Sequence, residues 1–323
     1  MRGDKVLRIS VTDRCDLRCI YCMPESGVTL VPMSDMLSYE EIAVVARAAM
    51  AAGVRRLRLT GGEPLARRGV TALVRLLAAL GPDDLALTTN GLHLAEHAAE
   101  LKASGLHRVT VSLDTLRPDR FEAITRRRGL DRILAGIAAA RAAGLVPVKI
   151  NTVVIRGLND DEIVDFVRFG EREGVEVRFI ELMPTSGLSP ECKELGRWRP
   201  ALFVKGAEIR DRIESAFGPL RPCPEDDGVA RTALTPSGTR VGFIMPVSEP
   251  FCRGCERLRL GADGRLKLCL FDQQGIDVRR ELRERRAGEA ELAALLRQAL
   301  EKKVTWERGD LSALSSDMFK VGG

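Results

Sequence analysis

The sequence predicts an α/β fold made of about six consecutive strand–helix units. Up to Met183, short runs of β-branched and apolar residues alternate with helical patterns. This alternation is typical of parallel β/α units. Capping residues at the ends of the helical patterns support the same assignment.

Six strands are expected where the apolar runs occur, and the helices between them carry end signals. Ser38 and Glu41 form a capping box that opens a helix over 42–52, which Gly53 closes. Gly144 ends the helix before the fifth strand in the same way. The predicted strands lie near residues 6–11, 54–60, 85–89, 108–113, 147–154 and 175–182.

A second, smaller region is expected after Met183. Residues 184–200 are rich in proline, serine and glycine, which indicates a connecting segment. Beyond it, a helical pattern near 205–217 precedes two short strands near 231–234 and 239–245. The predicted domains are therefore residues 1–183, an α/β domain, and residues 184–323, a smaller α+β region.

Composition and charge exclude several classes of protein. The net charge of +5, from 50 basic and 45 acidic residues, is too small to indicate nucleic-acid binding unless the charge is clustered. Basic and acidic residues are instead interleaved along the chain. Aromatic residues make up only 4% of the chain, so stacking platforms are scarce. No apolar run approaches membrane-spanning length, and no apolar leader follows the N-terminus. We expect a cytoplasmic protein that binds neither nucleic acid nor membranes.

The cysteines are the first candidate metal ligands, because a reducing compartment disfavours disulfides. Cys15, Cys19 and Cys22 form a C-x3-C-x2-C loop after the first strand. Iron–sulfur cubanes are normally held by four cysteines, so three indicate a cluster with one iron open to a non-protein ligand. Tyr21 lies within the triplet and would place an aromatic ring beside the cluster. A zinc knuckle or a set of buried thiols is the alternative interpretation of the triplet alone.

Small and polar residues end the second, third and fourth strands. Gly61 and Gly62 follow the second strand, where backbone without side chains can approach a ligand and where β/α barrels place their sites. Thr88 and Ser112 would add hydroxyl groups at the same rim. Either hydroxyl alone is more typical of a strand end whose hydrogen bonds are satisfied locally.

Five cations occur on strands that ought to be interior. Arg56 and Arg58 share one face of the second strand, because side chains alternate along a strand. Both faces of such strands are normally apolar. Guanidinium groups suit phosphate, and a buried cation is costly without an anion, so together they predict a triphosphate site. Each cation alone would instead indicate a strand-end ion pair. The others are Arg8, Lys149 and Arg178, on the first, fifth and sixth strands.

A second cysteine triplet lies in the smaller region. Cys252, Cys255 and Cys269 again offer three ligands and predict a second cluster with an open iron. A structural zinc site is the alternative, but it would need a fourth ligand, and the three histidines of the chain all lie in the first region.

One motif is rejected as a metal site. His93, Glu96 and His97 match H-x-x-E-H, the inverted zinc-protease pattern. The motif falls on a helix expected outside the barrel and away from its mouth. We therefore expect a solvated helix face and no zinc.

Together these residues resemble the GTP 3′,8-cyclase family of radical S-adenosylmethionine (SAM) enzymes, which begins molybdenum cofactor biosynthesis. The resemblance extends over essentially the whole chain, and the distal Cys-x2-Cys-x-Arg-Leu-Arg segment separates it from most other radical SAM enzymes. It implies an incomplete (β/α)6 radical SAM barrel with a smaller C-terminal α+β region whose cluster faces the first. The segments that carry it are 8–23, 58–64, 88–91, 111–114, 149–153, 178–184, 252–270 and 322–323.

The resemblance also implies roles for individual residues. Each cysteine triplet would bind a 4Fe-4S cluster, and the guanine of GTP would meet the open iron of the second. Gly322 and Gly323 would reach the active site and help to set SAM and GTP for hydrogen abstraction. Glu256 stands where the family usually has a polar neutral residue, which puts the hydrogen bonding beside the base in doubt. Tyr21, Gly62, Ser112 and Met183 would line SAM, and Arg8, Arg56, Arg58, Thr88, Lys149, Arg178, Arg257 and Arg259 would hold GTP.

The implied reaction is a radical cyclisation of GTP. Reduction of the first cluster cleaves SAM, the 5′-deoxyadenosyl radical takes the ribose 3′ hydrogen, and the C3′ radical attacks C8 of the guanine. Further reduction gives (8S)-3′,8-cyclo-7,8-dihydroguanosine 5′-triphosphate. The implied partners are an electron donor and, downstream, cyclic pyranopterin monophosphate synthase. A homodimer is compatible with the resemblance.

Two alternatives remain at this point. A radical SAM peptide maturase with an auxiliary cluster usually needs more distal cysteines and would not need the strand-borne cations. An iron–sulfur regulator that binds nucleic acid would need a basic helix or an aromatic platform beside its cluster.

Overall fold

The computed structural model describes residues 5–23, 27–183, 200–223, 229–252, 254–272 and 274–306. Gly322 and Gly323 therefore lie outside the described residues, as does most of the predicted connecting segment. Within the described part of the chain, no helix is both long and apolar enough to cross a membrane.

Six parallel strands form the centre of the molecule. They are hydrogen-bonded in sequence order, and every neighbouring pair is parallel. The predicted strands are confirmed, and no boundary moves by more than two residues. The strands are β1 (Val6–Ser10), β2 (Arg56–Thr60), β3 (Asp84–Thr89), β4 (Arg108–Ser112), β5 (Lys149–Val154) and β6 (Glu176–Glu181).

Helices connect these strands and bury apolar side chains against them. The predicted capping box is present: the Glu41 backbone N–H donates to Ser38 Oγ at 3.1 Å, and the Ser38 N–H donates to Glu41 Oε2 at 2.7 Å. The helix that it opens begins at Tyr39, earlier than predicted, because Ser38 is the N-cap and the residue after an N-cap is the first helical one. The connecting helices are α1 (Tyr39–Ala51), α2 (Val70–Ala78), α3 (Leu94–Ala103), α4 (Pro118–Thr125), α5 (Leu130–Ala142) and α6 (Ile163–Glu173).

The main apolar core lies between the strands and the helices. Leu7 and Ile9 of β1 and Leu57 and Leu59 of β2 are fully buried in it. Because side chains alternate along a strand, the arginines between these residues point to the opposite, inner face of the sheet.

The C-terminal region continues the same sheet at both edges. One of its strands pairs in parallel with β6 and another with β1, so the barrel strands and the C-terminal strands form one twelve-stranded sheet. The expected architecture, a partial β/α barrel with a smaller C-terminal region, is confirmed. The added elements are α7 (Gly206–Phe217), β7 (Arg221–Pro222), β8 (Arg231–Leu234), β9 (Arg240–Ile244), β10 (Arg257–Leu260), β11 (Arg265–Lys267), β12 (Ile276–Asp277), α8 (Val278–Arg283) and α9 (Glu289–Thr305).

Candidate active site

The first cysteine triplet lines a cavity at the carboxyl ends of the barrel strands. Cys15, Cys19 and Cys22 all lie in the loop after β1 and face this space, which is called the first cavity below. The end of α4 anchors the loop, since the backbone N–H groups of Arg18 and Ile20 donate to carbonyl oxygens of α4 at 3.0 Å. The loop therefore has a fixed backbone against which a cluster can be held.

The donor set of the first cavity fits an iron–sulfur cluster. Burial, assisted by the charges of Glu63 and Asp16, raises the pKa of the Cys15 thiol to about 12. Burial likewise raises the pKa of Cys19 well above its ordinary value. The three cysteines line one cavity from one loop, which is the donor set of an iron–sulfur cluster with one iron open, and bound iron would compensate the thiolate charge.

The two glycines after β2 pack directly against the loop that carries the cysteines. The Gly62 N–H donates to the Thr12 carbonyl at 2.7 Å. A Cβ on Gly62 would collide with the backbone of Arg14, and one on Gly61, where φ is +150°, would lie 2.5 Å from the Thr12 oxygen. Both glycines are therefore required by a backbone-to-backbone contact, in addition to the close ligand approach that the sequence suggests.

Glu63 joins the ends of β2 and β3 beneath the first cavity. Its fully buried carboxylate accepts hydrogen bonds from the Leu65 N–H at 2.9 Å, Thr89 Oγ1 at 2.7 Å and the Asn90 N–H at 2.6 Å. Burial raises the pKa of Glu63 to about 7, although the three hydrogen bonds act in the opposite direction. The sequence analysis missed this residue, whose only signal was its place directly after the glycine pair.

Tyr21 lines the first cavity as predicted, and Asp114 holds it there. The tyrosine hydroxyl donates to Asp114 Oδ2 at 2.6 Å, and the Val153 N–H donates to Asp114 Oδ1 at 2.8 Å. Burial raises the pKa of Asp114 to about 6, while these hydrogen bonds lower it. Asp114 also lines the cavity, and its position two residues after Ser112 is the one sequence signal that could have revealed it.

A second cavity contains the other cysteine triplet. Cys252, Cys255 and Cys269 line it together with Arg257 and Arg259 of β10. Four residues line both cavities and form a shared wall: Thr88, Asn151, Ile180 and Met183. The predicted SAM residues Gly62 and Ser112 line the first cavity only.

Asn151 was not identified from the sequence. Its Oδ1 atom is buried and accepts no hydrogen bond from the described residues. An unsatisfied buried amide oxygen is costly, so its place in the shared wall indicates that a bound molecule donates to it.

A row of arginines crosses three strands at the second cavity. Arg8 of β1 is in register with Arg58 of β2 on one side and with Arg259 of β10 on the other. Burial and the charges of Arg259, Arg58 and Arg257 lower the pKa of Arg8, and burial together with Arg257 lowers the pKa of Arg259 to about 10. Like charges held together in this way favour a polyanionic ligand, which would relieve their repulsion.

The prediction that all five strand cations face the cavity is only partly correct. Arg8, Arg58 and Arg178 line it, whereas Arg56 and Lys149 do not. Lys149 lies 3.4 Å from Glu176, and that carboxylate also accepts from Arg178 at 2.5 Å. Arg56 and Lys149 are the first residues of β2 and β5.

Residues around the second triplet add positive charge. Burial alone would raise the pKa of the Cys255 thiol, but the Arg257 charge and hydrogen bond and the Lys303 charge lower it to about 7. Lys303, near the end of α9, lines the cavity and lies 4.9 Å from the ring centre of Trp306. The sequence analysis missed it. Glu256 is not among the lining residues, since it alternates with Arg257 along the chain.

The H-x-x-E-H segment differs from the expected solvated helix face. His93 is half-buried and its Nε2 lies 2.9 Å from Asp16 Oδ2 in the cysteine loop. The solvated-face prediction is therefore wrong for His93. His97 lies one turn further along α3.

Known protein families and proteins are similar to this chain over most of its length. Residues 9–170 match the family model of the radical SAM superfamily, and residues 175–307 match the model described as Molybdenum Cofactor Synthesis C. The GTP 3′,8-cyclase of Pelotomaculum thermopropionicum is 49% identical over 301 residues, which cover 92% of this chain and 90% of that protein. The GTP 3′,8-cyclase of Moorella thermoacetica is 47% identical with the same coverage.

Solved structures support the fold alone, because their sequences are distant. Streptococcus suis SuiB bound to S-adenosylmethionine matches with a TM-score of 0.52 at 19% identity, over 67% of this chain and 47% of that chain. Methylornithine synthase (PylB) matches with a TM-score of 0.52 at 17% identity, over 68% of this chain and 64% of that chain.

We expect Gly62→Ala to displace the cysteine loop, because the added methyl group has no room beside the Arg14 backbone. Anaerobic reconstitution should then load about half of the wild-type iron, as only the second triplet is intact. Gly288→Ala is the control, since its Cβ would come no closer than 3.9 Å to its neighbour Glu291. Full iron loading of Gly62→Ala would contradict the close-packing argument.

Proposed function

This chain belongs to the GTP 3′,8-cyclase family of radical SAM enzymes, and we propose that its two cavities divide that reaction between SAM and GTP. The reaction converts GTP to (8S)-3′,8-cyclo-7,8-dihydroguanosine 5′-triphosphate and is the first step of molybdenum cofactor biosynthesis. The enzyme uses SAM and two 4Fe-4S clusters. The matches at 43–49% identity support this activity over peptide maturation.

The observation that carries the proposal is the arginine row beside the second cysteine triplet. Arg58, Arg8 and Arg259 lie side by side on the inner face of three adjacent strands, and Arg178 lines the same cavity. Guanidinium groups in this arrangement can each donate two hydrogen bonds to phosphate oxygens. We assign the triphosphate of GTP to these four residues, and the base to the neighbourhood of Cys252, Cys255 and Cys269.

The first cavity is assigned to SAM. When bound, the first cluster and SAM supply the 5′-deoxyadenosyl radical that removes the 3′ hydrogen of GTP. Tyr21, fixed by Asp114, and Gly62, fixed against the cysteine loop, would give the cofactor a rigid site. Ser112 and Met183 complete the assigned contacts, and Cys15, Cys19 and Cys22 are assigned as the ligands of the first cluster.

The shared wall determines where the two ligands meet. Thr88, Asn151 and Met183 border both cavities, so the ribose of GTP would lie against them if its base and phosphates occupy the second cavity. Holding the ribose and base in one orientation keeps C3′ within reach of C8, and this positioning is the chain's own contribution to the rate.

Four further residues are proposed to bind GTP. Arg257 and Thr88 line the second cavity, whereas Arg56 and Lys149 do not. We also propose the domain division at 183/184, an electron donor for the first cluster, product transfer to cyclic pyranopterin monophosphate synthase, a homodimer and a cytoplasmic location.

Replacing one cysteine in each triplet should affect SAM cleavage and GTP cyclisation differently. Cys19→Ala should abolish SAM cleavage, because the first cluster loses a ligand. Cys269→Ala should lose about half the iron and still cleave SAM slowly, without cyclised product. Both are measured by iron content, 5′-deoxyadenosine and cyclised nucleotide, with Cys223→Ala as a control that lines neither cavity. Normal 5′-deoxyadenosine production by Cys19→Ala, or full GTP conversion by Cys269→Ala, would refute these assignments.

Arg259→Ala should weaken GTP binding by roughly tenfold to a hundredfold, since a charged hydrogen-bond pair contributes about 1.5–3 kcal/mol. SAM affinity should change little. Equilibrium dialysis of the iron-loaded protein measures both, and Arg265→Ala on the exposed side of β11 is the matched control. Equal weakening of both ligands, or of neither, would show that the arginine row does not bind the triphosphate.

Gly322 and Gly323 are proposed to act in hydrogen transfer. Replacing both by alanine should leave iron content and GTP affinity close to wild type while cyclised product falls sharply. The readout is cyclised nucleotide formed per 5′-deoxyadenosine released. An unchanged ratio at the wild-type rate would remove these residues from the active site.

A further inference from the structure

The rejected H-x-x-E-H motif makes a specific contact with the first cysteine loop. His93 immediately precedes α3, and its Nε2 lies 2.9 Å from Asp16 Oδ2. Asp16 directly follows Cys15 in the chain. A carboxylate only accepts hydrogen bonds, so the proton between these atoms belongs to Nε2 and the imidazole donates.

Asn90 holds the same carboxylate from the other side. Its Nδ2 donates to Asp16 Oδ1 at 2.5 Å and lies 3.9 Å from the Cys15 sulfur. The Asn90 backbone N–H donates to Glu63 at 2.6 Å, and its Oδ1 accepts from the Leu92 N–H at 3.0 Å. The amide is therefore fixed, and His93 is the second of two donors that set where the Asp16 charge lies.

The position of Asp16 matters because of the sulfur beside it. Asp16 Oδ1 lies 3.9 Å from Cys15 Sγ. A thiolate has no proton to donate, so a ligating Cys15 and the Asp16 carboxylate repel each other. An electron added to a cluster at Cys15 increases that repulsion. Hydrogen bonds and net charge around the sulfurs are known to set the reduction potentials of such clusters.

We propose that His93 is a positioning residue for the first cluster: by holding Asp16 Oδ2, it limits how closely the carboxylate approaches Cys15 and so raises the reduction potential of that cluster. This inference rests on the proposed assignment of Cys15 as a cluster ligand. Glu96 supports the arrangement, since its Oε2 lies 3.9 Å from His93 Nδ1 and its Oε1 lies 3.4 Å from Arg132. The helix motif would thus act on a cluster through Asp16.

Four variants separate this role from ordinary stabilisation. His93→Ala should lower the ratio of reduced to oxidised first cluster at a fixed potential by about threefold to tenfold, where tenfold corresponds to about 59 mV for one electron. Asp16→Asn should raise the ratio, because the repelling charge is gone. His93→Gln should restore most of the wild-type value, since its amide can donate to Asp16. His93→Ala should add nothing in the Asp16→Asn background, because it acts through that carboxylate.

The measurement is an anaerobic redox titration at one pH, followed by EPR, on protein that carries both clusters. The first cluster is identified by the change in its EPR signal when SAM is added. His97→Ala, one turn along the same helix, is the matched control and should leave the potential unchanged. Iron content is recorded for every variant, so that loss of cluster is separated from a shift in its potential.

The outcomes distinguish this inference from the proposed function. If wild-type protein shows no SAM-responsive signal, the assignment of the first cluster itself is wrong. If the signal is present and His93→Ala alters only iron content, the positioning role is refuted and the assignment stands. An equal shift in the wild-type and Asp16→Asn backgrounds would also refute it, because His93 would then act by another route.

Discussion

The repulsion among buried arginines is the constraint on which the arrangement of this molecule depends. Arg8 lies between Arg58 and Arg259 because β1 is hydrogen-bonded to β2 on one side and to β10 on the other. Burial and mutual repulsion lower the pKa values of Arg8 and Arg259, so the folded protein holds these charges at a cost. A polyanionic substrate removes part of that cost on binding. The site is therefore built before its ligand arrives, and binding energy is not needed to assemble it.

The first cavity is organised differently, by buried carboxylates that accept hydrogen bonds from backbone N–H groups. Glu63 accepts from three donors at the ends of β2 and β3, and Asp114 joins Tyr21 to β5. Glu181 joins the end of β6 to the backbone of Val247 and Ser248 beyond β9. These buried carboxylates fix the strand ends around the first cavity, the proposed SAM site, whereas buried cations line the second cavity, the proposed GTP site. This difference in charge between the cavities is what the proposed assignment of SAM to the first and GTP to the second requires.

Local signals were sufficient to predict the strands, the capping box and both cysteine triplets, because each depends on neighbouring residues in the chain. The interior cations were also found, since an arginine among leucines breaks the expected pattern. Which of these cations line the cavity was predicted less well. Arg56 and Lys149 miss the cavity because its position along the strands depends on pairing between distant segments. Asn151 and Lys303 carry no local pattern at all, so only the folded structure brings them to the site.

The continuation of the sheet through β10 places both cysteine triplets relative to one strand. The first cysteine loop leaves the carboxyl end of β1, while Cys255 stands just before β10, whose Arg257 pairs with Val6 at the other end of β1. Four residue steps from Val6 to Ser10 span about 13 Å at ~3.3 Å each. The length of β1 therefore sets the scale of the distance between the two cysteine triplets. The same pairing aligns Arg8 with Arg259. A slip of one residue between β1 and β10 would turn one of these arginines toward the apolar core and shift the triplets along the strand. One register therefore sets the positions of both the arginine row and the cysteine triplets. The buried apolar side chains that alternate with the arginines, Leu7 and Leu258 among them, fix that register.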